Sequence, residues 1–272
     1  MLVLKADLHV HSYYSDGSDS VASILQKAAQ ANVTHISFVD HDTIAGWEEI
    51  HSESKAVDII AIPGIEISAY DFKRNRKVHV LGYNFHRDAV HIQSICQPLL
   101  ERRHAQSLWQ IKQLKLAGYS LDTDRIIESA KHSGTVYKQH IMKELTEQPF
   151  TSAAYQKLYK DLFKGHGVAA GDIEYIDVFD AVRAIKLDGG LAVVAHPGQL
   201  DSYDLIPELV EVGLDGIERN HFDHTAEDIS RVEELAEKYQ LVMTGGTDFH
   251  GAFGSDIAVG DIVSPSCTTV KV

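Results

Sequence analysis

Residues 2–30 read LVLKADLHVHSYYSDGSDSVASILQKAAQ, and the fold is decided in this stretch. A strand-like run over residues 2–8 gives way to a short polar turn containing Gly17. Val21, Ile24, Leu25 and Ala28 then fall on one helical face, behind the cap candidates Asp19 and Ser20. A strand running directly into an amphipathic helix is half of a βαβ unit. Working outward, further strands are expected at 35–39, 59–66 and 78–83, with a helix ending near residue 55 and a basic turn over 73–77. Toward the C-terminus a helix at 178–187 precedes a strand at 191–195, and a helix at 205–212 precedes a strand at 216–219. A helix carrying Val232, Leu235, Ala236 and Tyr239 leads into a strand at 241–244. Repeated alternation of this kind predicts an α/β fold with a parallel sheet, and seven strands suggest a closed or nearly closed barrel.

Between residues 91 and 172 the rhythm changes. Only helical patterns occur there, such as Leu108, Ile111 and Leu114, broken at Gly118, Gly134 and Pro149. The reading is therefore a barrel domain built from 1–90 and 173–272, with a helical insertion at 91–172 over the active-site face.

Composition excludes several classes. The chain has 272 residues, 44% of them hydrophobic and 24% charged, which is ordinary for a packed globule and wrong for disorder. Apolar runs reach only about six residues, far below the ~20 that span a bilayer. Cys96 and Cys267 are too few for a disulfide framework, and no leader pattern opens the sequence, so a cytoplasmic protein is expected. A net charge of −14 disfavours a grip on long double-stranded nucleic acid, while bound cations would still allow a phosphorylated small molecule. No obligate protein partner is indicated.

The 16 histidines are the compositional oddity. His9 and His11 end the first strand as i and i+2, which points both imidazoles to one side. Asp16 follows in a turn, His41 comes just after strand two, and Glu66 ends strand three. His79 starts strand four, His196 follows the 191–195 strand, and Asp248 and His250 follow the last strand. Any one of these has a bland reading as a turn, an ion pair or a surface group. Nine at strand ends read together as a metal site on the face where barrel enzymes do chemistry. An imidazole–carboxylate set without thiolate suits Mn, Zn or Fe rather than Ca or Mg, and nine ligands suit two or three ions. The other histidines, His221 among them, read as surface or packing residues.

The segments Asp7-Leu8-His9-Val10-His11, Ser15-Asp16-Gly17, Asp40-His41-Asp42, Gly64-Ile65-Glu66, His79, Ala195-His196-Pro197 and Thr247-Asp248-Phe249-His250-Gly251 resemble the motifs of the PHP (polymerase and histidinol phosphatase) superfamily. The resemblance implies a distorted seven-stranded, TIM-like (β/α) barrel and a di- or trinuclear centre. It implies that His9, His11, Glu66 and Asp248 hold one ion, that Glu66 bridges to a second held by His79 and His196, and that Asp16, His41 and His250 hold a third. The helical insertion resembles that of nucleoside 3′,5′-bisphosphate phosphatases and related 5′→3′ oligoribonucleases. Tyr137-Lys138-Gln139-His140-Ile141 stands where that subfamily tends to carry Gly-Arg-Pro-His-Ile, and His224-Thr225 resembles its His-Ser/Thr. Lys138, His140 and His224 would then contact substrate phosphate. Independently of the resemblance, Arg102 and Arg103 open the insertion and read either as lining the substrate cleft or as a solvated helix face.

The expected chemistry is metal-dependent phosphoester hydrolysis, foremost of the 3′-phosphate of a nucleoside bisphosphate, with manganese the expected metal. Two cations sharing Glu66, with Asp248 beside them, would acidify water and stabilise developing charge. His224 is a candidate proton donor to the leaving oxygen. The alternatives are a 5′→3′ exonuclease on short RNA and a non-catalytic metal-binding module.

Overall fold

The computed structural model describes residues 4–265. Leu2, Val3 and Cys267, which entered the reading above, lie outside the described residues.

The first half-unit forms as its pattern requires. Strand β1 (Ala6–Val10) is buried on both faces, and helix α1 (Val21–Gln30) buries Val21, Ile24, Leu25 and Ala28. The Ser20 side chain accepts from Ser23 N and caps the helix. Strand β2 (His35–Phe38) and helix α2 (Trp47–Ala56) follow. The expected third strand is two strands, β3 (Ile60–Ala61) and β4 (Gly64–Asp71). Pro63 sits at the break, where a residue with no N–H cannot carry a ladder across. Strand β5 (Arg76–Tyr83) returns from the basic turn.

Helices α3 (Val90–Leu116), α4 (Thr123–Ser129), α5 (Lys138–Leu145) and α6 (Ala153–Phe163) then pack around an apolar cluster of their own that includes Ile111, Leu114, Ile141 and Phe163. Alternation resumes with β6 (Ile176–Asp177), α7 (Val178–Leu187), β7 (Leu191–Val194) and the short helices α8 (Pro197–Leu200) and α9 (Ile206–Val210). Strand β8 (Gly216–Asn220), helix α10 (Ala226–Tyr239) and strand β9 (Val242–Gly245) complete the order. Among the described residues no helix is long and apolar enough to cross a membrane.

The strands form two sheets, β1-β2-β3 and β6-β4-β5-β7-β8-β9. They meet at two single-residue bridges, Val10 to Phe249 and His41 to Glu66, and not along a continuous ladder. Of the expected α/β fold with a closed or nearly closed barrel, the mixed α/β fold with largely parallel sheets is found, and the sheets do not close. Strand β5 is the main reason. It pairs antiparallel with both β4 and β7, because the tight turn at 72–75 folds it directly back. Ala6, Leu8, Val39, Ile62, Leu81, Tyr83, Val193 and Ala195 fill the space between the sheets, and the Tyr83 hydroxyl donates to Leu8 O at 2.8 Å. Helices cover the outer faces.

The reversal of β5 has a consequence for chemistry. Its start, not its end, lies with the C-terminal ends of the parallel strands. His79 pairs in register with Ser68, two residues on from Glu66, so His79, Ser68 and Glu66 share one face of the sheet.

Candidate metal centre

Glu66 is the hub. Its two carboxylate oxygens face different imidazoles. Oε2 lies 3.1 Å from His11 Nε2, 3.4 Å from His9 Nε2 and 3.4 Å from His41 Nδ1. Oε1 lies 2.9 Å from His79 Nδ1 and 3.0 Å from His196 Nε2. Asp248 Oδ1 stands 3.3 Å from His9 Nε2 and 3.2 Å from His11 Nε2. Asp16 Oδ1 stands 3.3 Å from His250 Nε2 and 3.7 Å from His11 Nδ1. Three groups have donor atoms mutually close enough to hold an ion: His9, His11, Glu66 and Asp248; His41, Glu66 and His79; and His11, Asp16, His41 and His250. Eight of the nine residues read from the sequence as ligands fall in these groups; His196, expected beside His79, falls in none, although its Nε2 stands 3.0 Å from Glu66 Oε1, and His41 takes that place.

The donor set fits cations on a direct observation. His9 Nε2, both nitrogens of His11, Asp16 Oδ1, His79 Nδ1 and His196 Nδ1 are buried with no hydrogen-bond partner. His9 Nε2, His11 Nε2 and His79 Nδ1 lie within 3.4 Å of a Glu66 oxygen and still make no hydrogen bond. An orphaned buried polar atom costs about 1–3 kcal/mol, so six of them crowded at one place call for a common partner. Burial penalises the charged imidazolium of His11, but Asp248 and Glu66 outweigh it and push it up to about 10. The carboxylates thus favour positive charge at this place, as a site for a divalent cation requires.

Buried carboxylates outside the donor set hold it in place. Asp7 accepts from Thr247 N, Thr247 Oγ1 and Gly260 N at 3.0, 2.8 and 2.9 Å, which ties the Asp248 loop to β1. Burial pushes its carboxyl up to about 6 against those hydrogen bonds. Asp40 accepts from Ser12 N, Ser12 Oγ and Ser15 Oγ and so shapes the Asp16 turn. Gly246 is required at the β9 end, since a Cβ there would lie 2.3 Å from His9 N. His196 and Asp248 both have positive φ, 25° and 50°. Such backbone is costly outside glycine and collects at functional sites.

Two residues at the centre were not anticipated. Glu218 is fully buried, with Oε1 2.9 Å from His9 Nδ1, while Oε2 accepts from His196 N at 2.8 Å. An ionised carboxylate only accepts, so His9 carries its proton on Nδ1 and presents a bare Nε2 to the centre. His221 Nε2 lies 3.3 Å from Asp248 Oδ2. His221 follows β8 directly, so the strand-end rule applied to every strand would have found it, whereas Glu218 lies mid-strand and carries no such signal. Glu218→Gln is expected to lower metal affinity about 10–100-fold, because an amide cannot accept from both His9 and His196. Calorimetric titration with Mn²⁺ checks this, and unchanged affinity would mean that the tautomer is set elsewhere.

The phosphate-contact candidates divide. Lys138 lines a cleft that also contains Asp16, His41 and His79, together with Arg103. Arg102 is not among the residues lining it; its Nε donates to Glu174 O at 3.0 Å. His140 Nδ1 accepts from Tyr137 N, and the ring lines a neighbouring groove. His224, the candidate proton donor, has close backbone partners. Nδ1 donates to Arg219 O at 2.8 Å and Nε2 accepts from Gly198 N at 3.2 Å, which occupies both nitrogens of a neutral ring. Gln139, in place of the proline of the resembled motif, donates to Asp16 Oδ2 at 2.9 Å.

Comparison with known proteins agrees with this geometry. The chain is 52% identical, over 93% of its length and 97% of the relative's, to a phosphoribosyl 1,2-cyclic phosphate 1,2-diphosphodiesterase of Eggerthella lenta. It is 26% identical to a 3′,5′-nucleoside bisphosphate phosphatase of Chromobacterium violaceum, over 97% and 94% of the two chains. A solved structure from Bifidobacterium adolescentis, provisionally described as a metal-dependent phosphoesterase, shares the fold with a TM-score of 0.86 at 24% identity, covering 96% and 93%. The PHP domain model matches residues 7–188. With its histidine–carboxylate cluster gathered around Glu66, the chain belongs to the PHP domain family and is a metal-dependent phosphoesterase.

Proposed function

We propose that this enzyme hydrolyses a phosphoester on a small ribose compound carrying a second phosphate, with phosphoribosyl 1,2-cyclic phosphate the foremost substrate. The observation that carries the reading is the cleft, which is lined both by the His41–His79–Asp16 edge of the metal centre and by cationic side chains. The relative from Eggerthella lenta, named for that compound, supports it. A nucleoside 3′,5′-bisphosphate is the second reading, supported by the relative from Chromobacterium violaceum. Lys138-Gln139 in place of Arg-Pro weighs against it, because lysine lacks the planar fork of arginine. Both are compounds a cytosolic enzyme would meet. Residues 91–172 serve as a helical cap over a distorted, barrel-like pair of sheets.

His9, His11, Asp16, His41, Glu66, His79, His196, Asp248 and His250 would hold two or three divalent cations, Mn foremost. When bound, such ions supply Lewis acidity toward the phosphoryl oxygens and make water a competent nucleophile near neutral pH. Hydrolysis forms a new P–O bond to water and breaks the P–O bond to ribose, whose oxygen gains a proton. The chain's own part is orientation. Glu218 fixes His9, and Gln139 draws Asp16 Oδ2 outward so that Oδ1 faces His250. Lys138 binds phosphate.

Turnover of phosphoribosyl 1,2-cyclic phosphate, a nucleoside 3′,5′-bisphosphate and short RNA, each with Mn²⁺, tests the reading. Preference for RNA over both small substrates would overturn it. Lys138→Ala should raise KM about tenfold or more with metal content intact. Burial, resisted by Asp172, pulls the Lys138 ammonium down to about 8. It is a cation below that pH and neutral above it, so the KM of the unaltered enzyme should rise as pH passes about 8, and the variant should lose that dependence. Loss of metal in the variant would make Lys138 structural.

A further inference from the structure

The cleft holds more positive charge than one phosphate at a metal centre uses. Arg103, Lys77, Lys138 and Lys164 all line it, brought from α3, β5, α5 and the end of α6. Two are compensated: Arg103 pairs with Asp42 at 2.7 Å and Lys77 with Asp172 at 2.5 Å. Among the described residues no carboxylate lies within 4.0 Å of the Lys138 or Lys164 ammonium. In a chain of net charge −14, two lysines without an ion-pair partner converging on one cavity are conspicuous.

Their placement is built. Three of the cations lie over tyrosine rings that line the same cavity: Lys77 over Tyr175 at 4.7 Å, Arg103 over Tyr137 at 5.1 Å and Lys164 over Tyr159 at 5.8 Å. A ring face attracts the cation while leaving its remaining donors free. Arg103 Nε is buried with no hydrogen-bond partner, and Ser68 Oγ and Asp42 hold the guanidinium through its Nη2. The four cations are thus brought from four different elements to line one cavity. Groups of one sign held together against their own repulsion are relieved by an anion of the opposite sign.

We propose that Lys77, Lys138, Lys164 and Arg103 form a subsite for the second, non-reacting phosphate of the substrate. This rests on the reading of a doubly phosphorylated ribose substrate and adds where its two phosphates go. The reacting phosphate would lie at the Glu66 cluster, and the other would be gripped by the four cations that line the cleft beside it. The subsite acts as a ruler, admitting small molecules with two phosphates and disfavouring those with one.

The test uses the Mn²⁺-loaded full chain and variants Lys164→Ala and Lys164→Arg. Lys164 is exposed at the end of α6, so neither change endangers the core. The unaltered enzyme should prefer phosphoribosyl 1,2-cyclic phosphate over ribose 1,2-cyclic phosphate in kcat/KM. Lys164→Ala should narrow that preference about tenfold, mainly through KM, and Lys164→Arg should restore most of it. Calorimetric titration with ribose 5-phosphate should show about tenfold weaker binding to Lys164→Ala. Equal binding of ribose 5-phosphate by the unaltered chain and Lys164→Ala would overturn the subsite. If neither cyclic ester is turned over, the substrate reading falls, and the ribose 5-phosphate titration decides the subsite alone.

Discussion

Glu66→Gln is expected to weaken two cation sites at once and to cut turnover about a thousandfold or more while the chain stays folded. The carboxylate is buried, with Oε2 toward His9, His11 and His41 and Oε1 toward His79 and His196. Two divalent cations repel four times as strongly as two unit charges at the same distance, and a shared negative group offsets this. Glutamine keeps the volume and one acceptor oxygen but removes the charge. His250→Ala is the control, since His250 faces Asp16 and lies away from the Glu66 oxygens. It should lower occupancy mainly at the group formed by His11, Asp16, His41 and His250. Elemental analysis of both purified variants, with circular dichroism to confirm folding, decides the matter. Full metal content in Glu66→Gln would remove Glu66 as the bridge. Loss of the same ion from both variants would require the donors to be regrouped.

Exhaustive chelation is expected to abolish phosphoester hydrolysis, and added Mn²⁺ to restore it. The nine donors include no thiolate, so affinity rests on imidazole and carboxylate alone and a strong chelator competes effectively. The backbone should survive, because Asp7, Asp40 and Glu218 tie the site loops together through protein hydrogen bonds. Stability should nevertheless fall. A ligand present at a hundred times its Kd stabilises the folded state by about 2.7 kcal/mol, and removing it leaves Asp16, Glu66 and Asp248 repelling one another. A lowered melting temperature with unchanged secondary structure is the second readout. Full turnover by metal-free protein would sink the mechanism.

Much of this protein was determined by its sequence alone. The order of strands and helices was legible because periodicity records which side of each element meets the core. Val21, Ile24, Leu25 and Ala28 did so for α1, and the helix at 178–187 matched α7 end to end. The donor residues were legible because chemistry at strand ends leaves local marks, His9-Val10-His11 above all. Tertiary structure alone decided the rest. Strand direction is not written in periodicity, so the reversal of β5 and the failure of the sheets to close emerged only from pairing. The role of Glu218 depends on a partner 209 residues away. The lack of an ion-pair partner for Lys138 and Lys164 among the described residues, and the engagement of both His224 nitrogens by backbone, are properties of surroundings and not of residue type. A sequence lists the donors and charges. Which of them are left without a partner is a question of three-dimensional proximity, and at this site the unpartnered atoms point to the chemistry.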